Sequence, residues 1–262
     1  MIVSAARCNS GSIPGILMPC LSVYLRSNGV SMRAQSGKES KRMAMQALVV
    51  TGGDCPPSEM INTLARTYRF VIAADSGVDI CRKAGIMPDL CIGDFDSVSA
   101  RMLEEVPSER LLRFPEDKDY TDTELALMTA RERGAVRVAL AGAGGGRLDH
   151  LLAVRALFER PHAMDEWHTA QESVYLLPPG SRIGILASKG TIVSVFPLSK
   201  GAEGMHSEGL KWPLDGLSWE AGDFGISNRT TEEEAWIHSG LKPILVVLPI
   251  GTDAFVSALN LV

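Results

Sequence analysis

From Ala47 to Glu159 the chain repeats one pattern: a short apolar run, a turn carrying glycine or aspartate, and a helical stretch. Ala47-Leu48-Val49-Val50 ends in Thr51-Gly52-Gly53-Asp54, and Ser58-Glu59 opens a helix through about Thr67. Phe70 to Ala74 ends in Asp75-Ser76-Gly77, with a helix to Ala84 closed by Gly85. A third strand leads into Gly93 to Ser97, and a helix spans Ala100 to Glu105. Arg110 to Phe114 and Val136 to Ala141 are two more strands, followed by helices over Thr121 to Arg133 and Leu148 to Glu159. Strands that are apolar throughout, alternating with helices at this spacing, predict a mainly parallel sheet covered on both faces. Ligands of such sheets collect outside the carboxyl ends of the strands. Asp54, Asp75, Asp94, Asp96 and the loop before Asp122 all fall there.

After about Gln171 the period changes to short β-like runs. They cover Val174 to Leu177, Arg182 to Ala187, Thr191 to Phe196, Gly209 to Leu214, Gly222 to Ser227, Ala235 to His238 and Ile244 to Leu248. Turns such as Pro178-Pro179-Gly180 and Asp215-Gly216 separate them, so an all-β sandwich or barrel domain is expected to follow the α/β domain. The expected division is 46–165 for the α/β catalytic domain and 170–262 for the β domain, with the boundary inside Pro161 to Glu172. Residues 1–45 carry six basic side chains against the single acid Glu39 and are expected to form a poorly ordered extension; Met32, Met43 and Met45 leave a later translation start open.

Composition narrows the classes. A net charge of -5 argues against a nucleic-acid backbone as partner, and no apolar run is long enough to cross a bilayer. The cysteines Cys8, Cys20, Cys55, Cys81 and Cys91 lack metal spacing and fit reduced thiols in a cytoplasmic protein.

Three motifs carry chemistry. In Gly93-Asp94-Phe95-Asp96-Ser97, residues two apart in an extended segment face the same way, so Asp94 and Asp96 address one spot. Like charges so close stay ionised most easily around a divalent cation; the competing reading is an Asx turn capping the next helix. In Lys118-Asp119-Tyr120-Thr121-Asp122-Thr123-Glu124, Thr121 and Glu124 fit a capping box, which leaves Asp119 and Asp122 without a structural need to be acids. Lys118 is either an ion-pair partner or a phosphate ligand. Gly142 to Gly146, followed by Arg147-Leu148-Asp149-His150, is a strand-to-helix turn that offers N–H groups to an anion, with Arg147 as a bidentate clamp. It lacks the ending of a Walker loop, and His150 reads as a packed or capping side chain.

Ala74-Asp75-Ser76-Gly77, Gly93-Asp94-Phe95-Asp96-Ser97, Lys118 to Asp122 and Gly145-Gly146-Arg147-Leu148-Asp149-His150, in that order, closely resemble the thiamine pyrophosphokinase family. The resemblance spans about Ala47 to Leu248, including Gly209-Leu210-Lys211-Trp212 and Gly225-Ile226-Ser227-Asn228. It implies a homodimer that moves pyrophosphate from ATP to the thiamine hydroxyl and releases AMP. By position Asp75, Asp94, Asp96 and Asp122 match the family's acids around a magnesium-bound triphosphate, and Arg147 and Asp149 match its glycine-loop pair; Asp94, Asp96 and Asp122 are expected to hold Mg²⁺, and Gly53, Lys118, Gly145, Gly146 and Arg147 to bind the phosphates. Asp149 is expected to touch thiamine or help take its hydroxyl proton, while Ser227 and Asn228 line a thiamine pocket completed across the dimer. Arg229-Thr230-Thr231 stands where animal members carry an aromatic residue. A metal-dependent nucleotide-sugar glycosyltransferase and a non-catalytic nucleotide or thiamine sensor are the competing functions.

Overall fold

The computed structural model describes residues 44–95, 105–198 and 200–258. The first half reads β1 (Gln46–Val50), α1 (Ser58–Tyr68), β2 (Arg69–Ala74), α2 (Gly77–Lys83), β3 (Leu90–Gly93), β4 (Leu111–Arg113), α3 (Asp122–Glu132), β5 (Arg137–Ala141) and α4 (Leu148–Leu157). The order matches the alternation in the sequence. The helix expected over Ala100 to Glu105 falls almost wholly outside the described residues, as does nearly all of the expected extension.

The second half is β6 (Glu166–His168), β7 (Glu172–Leu177), β8 (Ser181–Leu186), β9 (Ile192–Pro197), β10 (Ala202–Glu203) and β11 (His206–Glu208). There follow β12 (Ser218–Trp219), β13 (Gly225–Arg229), β14 (Glu234–His238), β15 (Ile244–Pro249) and β16 (Asp253–Ala258).

One ten-stranded sheet runs through both halves, in the order β13-β9-β15-β7-β6-β5-β1-β2-β3-β4. From β4 to β6 every pairing is parallel; from β6 to β13 every pairing is antiparallel. The switch follows from connection length, since Thr169 to Gln171 is long enough for a hairpin and too short for a crossover. A second sheet, β11-β14-β8-β16, packs on the antiparallel part, and the sandwich core holds Leu177, Ile183, Ile185, Val195, Ile237 and Val246.

Strand alternation builds the α/β half. Leu48, Val50, Val71, Ala73, Cys91 and Ala139 point into one buried cluster with Ile61 of α1 and Val78 of α2. Val49, Ile72, Ile92 and Leu140 are equally buried on the opposite face, where α3 packs against β1, β2 and β3. Gly77 lets α2 approach, because a Cβ there would lie 2.1 Å from Val50 O. No described helix is long and apolar enough to cross a membrane.

The expected strand over Gly209 to Leu214 does not form. Gly209 turns out of the ladder at φ 72°, Leu210 makes one isolated bridge to Thr230, and residues 211–217 form a surface turn. Leu210, Trp212 and Leu214 alternate as strand residues do, but Pro213 has no N–H to give a ladder.

Candidate active site

Parallel topology brings the ends of β1, β2, β3 and β5 and the start of α3 to one rim. Gly93 is its centre: a Cβ there would lie 3.4 Å from the Asp75 backbone and 3.5 Å from Asp122 Oδ1. Asp75 donates its N–H to Ile92 O at 2.8 Å and sits at φ 45°, while Phe95 sits at φ 61° with its ring buried. Left-handed backbone at a residue with a Cβ costs about 1–2 kcal/mol, so the packing around Gly93 over-determines these turns.

Lys118 Nζ lies 3.1 Å from Asp94 Oδ2 and 3.3 Å from Asp122 Oδ1, four residues on at the start of α3. Its contact with Asp122 is ionic, off the angle of a hydrogen bond. Burial lifts the Asp122 carboxyl above the usual range; Lys118 opposes that shift, and the charges of Asp94 and Asp75 add to it. The structure therefore gathers Asp75, Asp94, Asp122 and Lys118, as the motif order predicts. Asp96 lies outside the described residues. Among the described residues no three His, Cys, Asp or Glu side chains form a ready metal cage; an ammonium stands between two of the acids instead.

Thr121 caps α3 by accepting the Glu124 N–H at 3.2 Å. The reciprocal half of the expected capping box is absent, because the buried Glu124 carboxylate turns to His162 Nε2 at 3.2 Å and Arg160 Nε at 3.5 Å. Thr123 Oγ1 meets Thr51 Oγ1 at 2.9 Å, tying α3 to the end of β1.

The first turn and the glycine loop form one unit. Asp54 N donates to Gly144 O at 2.8 Å, Gly144 N returns to Asp54 O at 3.2 Å, and Ala143 N donates to Gly52 O at 2.6 Å. This pairing gives most of the glycines a steric reason. A Cβ would lie 2.8 Å from Gly144 O at Gly53, 2.2 Å from Thr51 O at Gly142 and 2.1 Å from Asp54 Oδ2 at Gly145. Only Gly146, at φ 67°, has open space around it. Sequence reasoning took the glycines chiefly for an anion cradle; close backbone approach accounts for Gly53 and Gly142, and the Asp54 carboxylate crowds Gly145. Among the described residues the N–H groups of Gly145 and Gly146 have no acceptor, so the loop's second half alone presents donors. Trp167 is buried, as a core tryptophan is expected to be, and donates its indole N–H to Gly142 O at 2.7 Å, which fixes the loop's root. Beside it lies a cavity of about 400 Å³, lined in part by Gly144, Gly145, Leu151, Leu152, Trp167 and Val174.

Arg147 and Asp149 are exposed and grip each other, with Nε donating to Oδ1 at 3.0 Å and a second bond to Oδ2. Arg147 holds the Asp149 carboxyl below the usual range. An anion that takes the Nε/Nη2 edge of Arg147 must displace Asp149. His150 is exposed, so the expected packed role does not hold.

Ser227 and Asn228 lie on β13, at the far end of the large sheet. Seven inter-strand steps separate β13 from β2; at about 4.8 Å each, that is on the order of 30 Å. One chain does not bring them to Asp75 or Asp94. Asn228 is buried and spends its amide on the chain around Trp212: Oδ1 accepts from Trp212 N at 3.1 Å, and Nδ2 donates to Trp212 O at 2.7 Å. Ser227 is exposed at φ 59° and donates its N–H to Ser194 Oγ at 3.2 Å.

Residues 61–165 match the family model "Thiamin pyrophosphokinase, catalytic domain", and residues 181–240 match "Thiamin pyrophosphokinase, vitamin B1 binding domain". Among curated proteins the chain is similar to the thiamine pyrophosphokinase of Bacillus subtilis, 29% identical over 175 residues, which is 64% of this chain and 80% of that one. Among solved structures it is similar to a thiamin pyrophosphokinase family protein from Enterococcus faecalis, with TM-score 0.66, 27% identity and coverage of 78% of this chain and 98% of the other. The thiamin pyrophosphokinase of Geobacillus thermodenitrificans gives TM-score 0.63, 26% identity and coverage of 78% and 97%. The yeast enzyme, at TM-score 0.60, 14% identity and coverage of 81% and 88%, shares the fold.

Proposed function

Since this chain belongs to the thiamin pyrophosphokinase family, we propose that it draws the pyrophosphoryl group it transfers to thiamine from ATP, at the rim where Asp75, Asp94 and Asp122 meet. The chain is an enzyme, a transferase that makes thiamine diphosphate. The thiamine hydroxyl oxygen forms a bond to the β-phosphorus, the bridge between the α- and β-phosphates breaks, and AMP leaves; the hydroxyl proton passes to solvent or a carboxylate. A reaction with a loose transition state asks the protein mainly for alignment and charge compensation.

The donor set suits Mg²⁺. Hard carboxylate oxygens converge on a spot that Lys118 fills with positive charge, and burial there disfavours carboxylates left without a cation. Asp94 and Asp122, joined by Asp96, would hold the ion, and it would supply charge neutralisation for the triphosphate. Asp75 orients the rim. The N–H groups of Gly145 and Gly146 and the Arg147 fork receive phosphate oxygens, with Gly53 holding the loop against β1. Asp149, kept anionic by Arg147, suits contact with the cationic thiazolium of thiamine better than it suits a base. Ser227 lines the thiamine pocket, and Asn228 positions the Trp212 turn beside it.

The separation of β13 from β2 carries the proposal of a homodimer, in which one chain's acids meet the partner's thiamine-lining strand. We assign 46–165 to catalysis and 170–262 to thiamine binding. The thiols Cys55, Cys81 and Cys91 are free, which fits a cytoplasmic setting. A glycosyltransferase or a sensor draws no support from these matches.

The convergence of Asp75, Asp94 and Asp122 on Gly93 is the observation that carries the site. Purified protein with ATP, Mg²⁺ and thiamine is expected to yield thiamine diphosphate and AMP, and Asp94→Asn is expected to lower turnover at least ~100-fold, the scale of one lost electrostatic contact. Unchanged turnover and magnesium dependence in Asp94→Asn would remove the assignment.

A further inference from the structure

Lys118 combines two properties that do not ordinarily go together. It belongs to the loop before α3, yet its side chain keeps only 13% exposure and its ammonium sits between two carboxylates, 3.1 Å from Asp94 and 3.3 Å from Asp122. A surface lysine in an ion pair contributes little and stays hydrated. Here the side chain is largely withdrawn from water, and its ammonium stands where a divalent cation would need to be in order to touch both acids. Two cations cannot share that place.

We infer that Lys118 is a tethered counter-ion that holds Asp94 and Asp122 together in the substrate-free enzyme and yields to a divalent cation only when a triphosphate arrives to receive its ammonium. The inference rests on the reading of Asp94 and Asp122 as the metal ligands, and it adds an order of assembly: metal and nucleotide enter as one unit.

The energetics favour that order. Exchange without nucleotide expels a half-buried ammonium from its partners and gives it none in return; truncated pairs of this kind are costly because of the group left behind. With a triphosphate present, the same ammonium moves from carboxylate to phosphate oxygen and keeps a charge-assisted bond throughout. The local structure allows the move. Asp122 is the first residue of α3 and is fixed by the Thr121 cap, whereas Lys118 stands four residues earlier, outside the helix, on a flexible four-carbon stem.

Mn²⁺ is the probe, read by the electron-paramagnetic signal of the free ion on full-length protein without thiamine, so that no turnover enters the measurement. Lys118→Met is expected to bind Mn²⁺ at least ~10-fold tighter than the wild type when nucleotide is absent, a difference of about 1.4 kcal/mol. Lys118→Arg, which keeps the charge, is expected to stay close to the wild type. Adding α,β-methylene-ATP, whose scissile bridge is carbon, should tighten Mn²⁺ binding to the wild type far more than to Lys118→Met. Thermal melting gives a second readout: in metal-free buffer Lys118→Met should melt lower than wild type and gain more from Mn²⁺. If Lys118→Met fails to fold, Lys118→Gln carries the same expectation.

Equal Mn²⁺ affinity of wild type and Lys118→Met without nucleotide overturns the inference, as does an Arg variant that behaves like the Met one. If Mn²⁺ binds no better to any of these proteins than to Asp94→Asn, with or without nucleotide, the metal assignment itself falls.

Discussion

Gly53→Ala tests the claim that the glycine loop is held by backbone pairing with the end of β1. The new Cβ would lie 2.8 Å from Gly144 O and 3.2 Å from Ala143 Cα, at a residue whose φ is 86°. Left-handed backbone costs alanine about 1–2 kcal/mol. Relief of the clash parts the two strands and weakens the reciprocal bonds between Asp54 and Gly144, each contributing about 0.5–1.5 kcal/mol. The sum, about 2–5 kcal/mol, comes off the free energy of local opening. Since about 1.4 kcal/mol is tenfold, amide hydrogen exchange at Asp54 and Gly144 is expected to accelerate roughly 30- to 3,000-fold. Gly146→Ala is the control. Its φ of 67° carries a similar backbone cost, but nothing lies within 4 Å of its Cβ, so exchange at Asp54 and Gly144 should change less than tenfold. Exchange at those amides that is unmoved by Gly53→Ala, or moved equally by both substitutions, would refute the pairing argument.

Two further outcomes follow from local geometry. Thr121→Ala removes the acceptor of the Glu124 N–H and should cost about 1 kcal/mol in urea unfolding, with Thr121→Ser close to wild type. In the β half, the bond to Asp215 raises the His206 imidazole above its ordinary 6.5, so the stability that pair adds is full below pH 6.5 and is lost as pH rises through the raised value. Both groups are about half exposed, so solvent screening keeps the effect small and NMR titration is the better readout. His238 should titrate below 6.5, chiefly through burial and then through the charge on His206, and His206→Asn should move it upward.

The parallel half is legible in the sequence because burial on both faces writes continuous apolar runs, and the meeting of Asp75, Asp94 and Asp122 at one rim is legible because strand ends are marked by Gly and Asp. What escapes is whatever depends on a distant partner. β6 lies inside the stretch expected to hold the domain boundary, and its buried Glu166 and His168 look like loop residues until Arg137, Ser173 and each other are seen to satisfy them. The capping box fails for the same reason, because Glu124 has better partners in Arg160 and His162, far along the chain. Alternation misleads at Gly209 to Leu214, where Pro213 and the φ of Gly209 outweigh it. β16 goes unread because its residues are exposed or at most half-buried and write no clear apolar period.

β6 also changes what the site must be. With a free linker at 161–172, the β half could in principle swing so that Ser227 and Asn228 met the acids of their own chain. β6 instead pairs with β5 on one side and β7 on the other, so the linker is itself the middle of a continuous hydrogen-bonded sheet. The sheet is open, with β13 at one edge and β4 at the other, and the hydrogen-bonded strands between them hold the two arms apart. With β13 and β3 on opposite arms of that sheet, a ligand touching both Ser227 and Asp94 must take them from different chains. The thiamine-lining role of β13 and the homodimer therefore stand or fall together. A protein that sediments as a monomer at assay concentration while retaining full turnover would require some other part of the chain to hold thiamine.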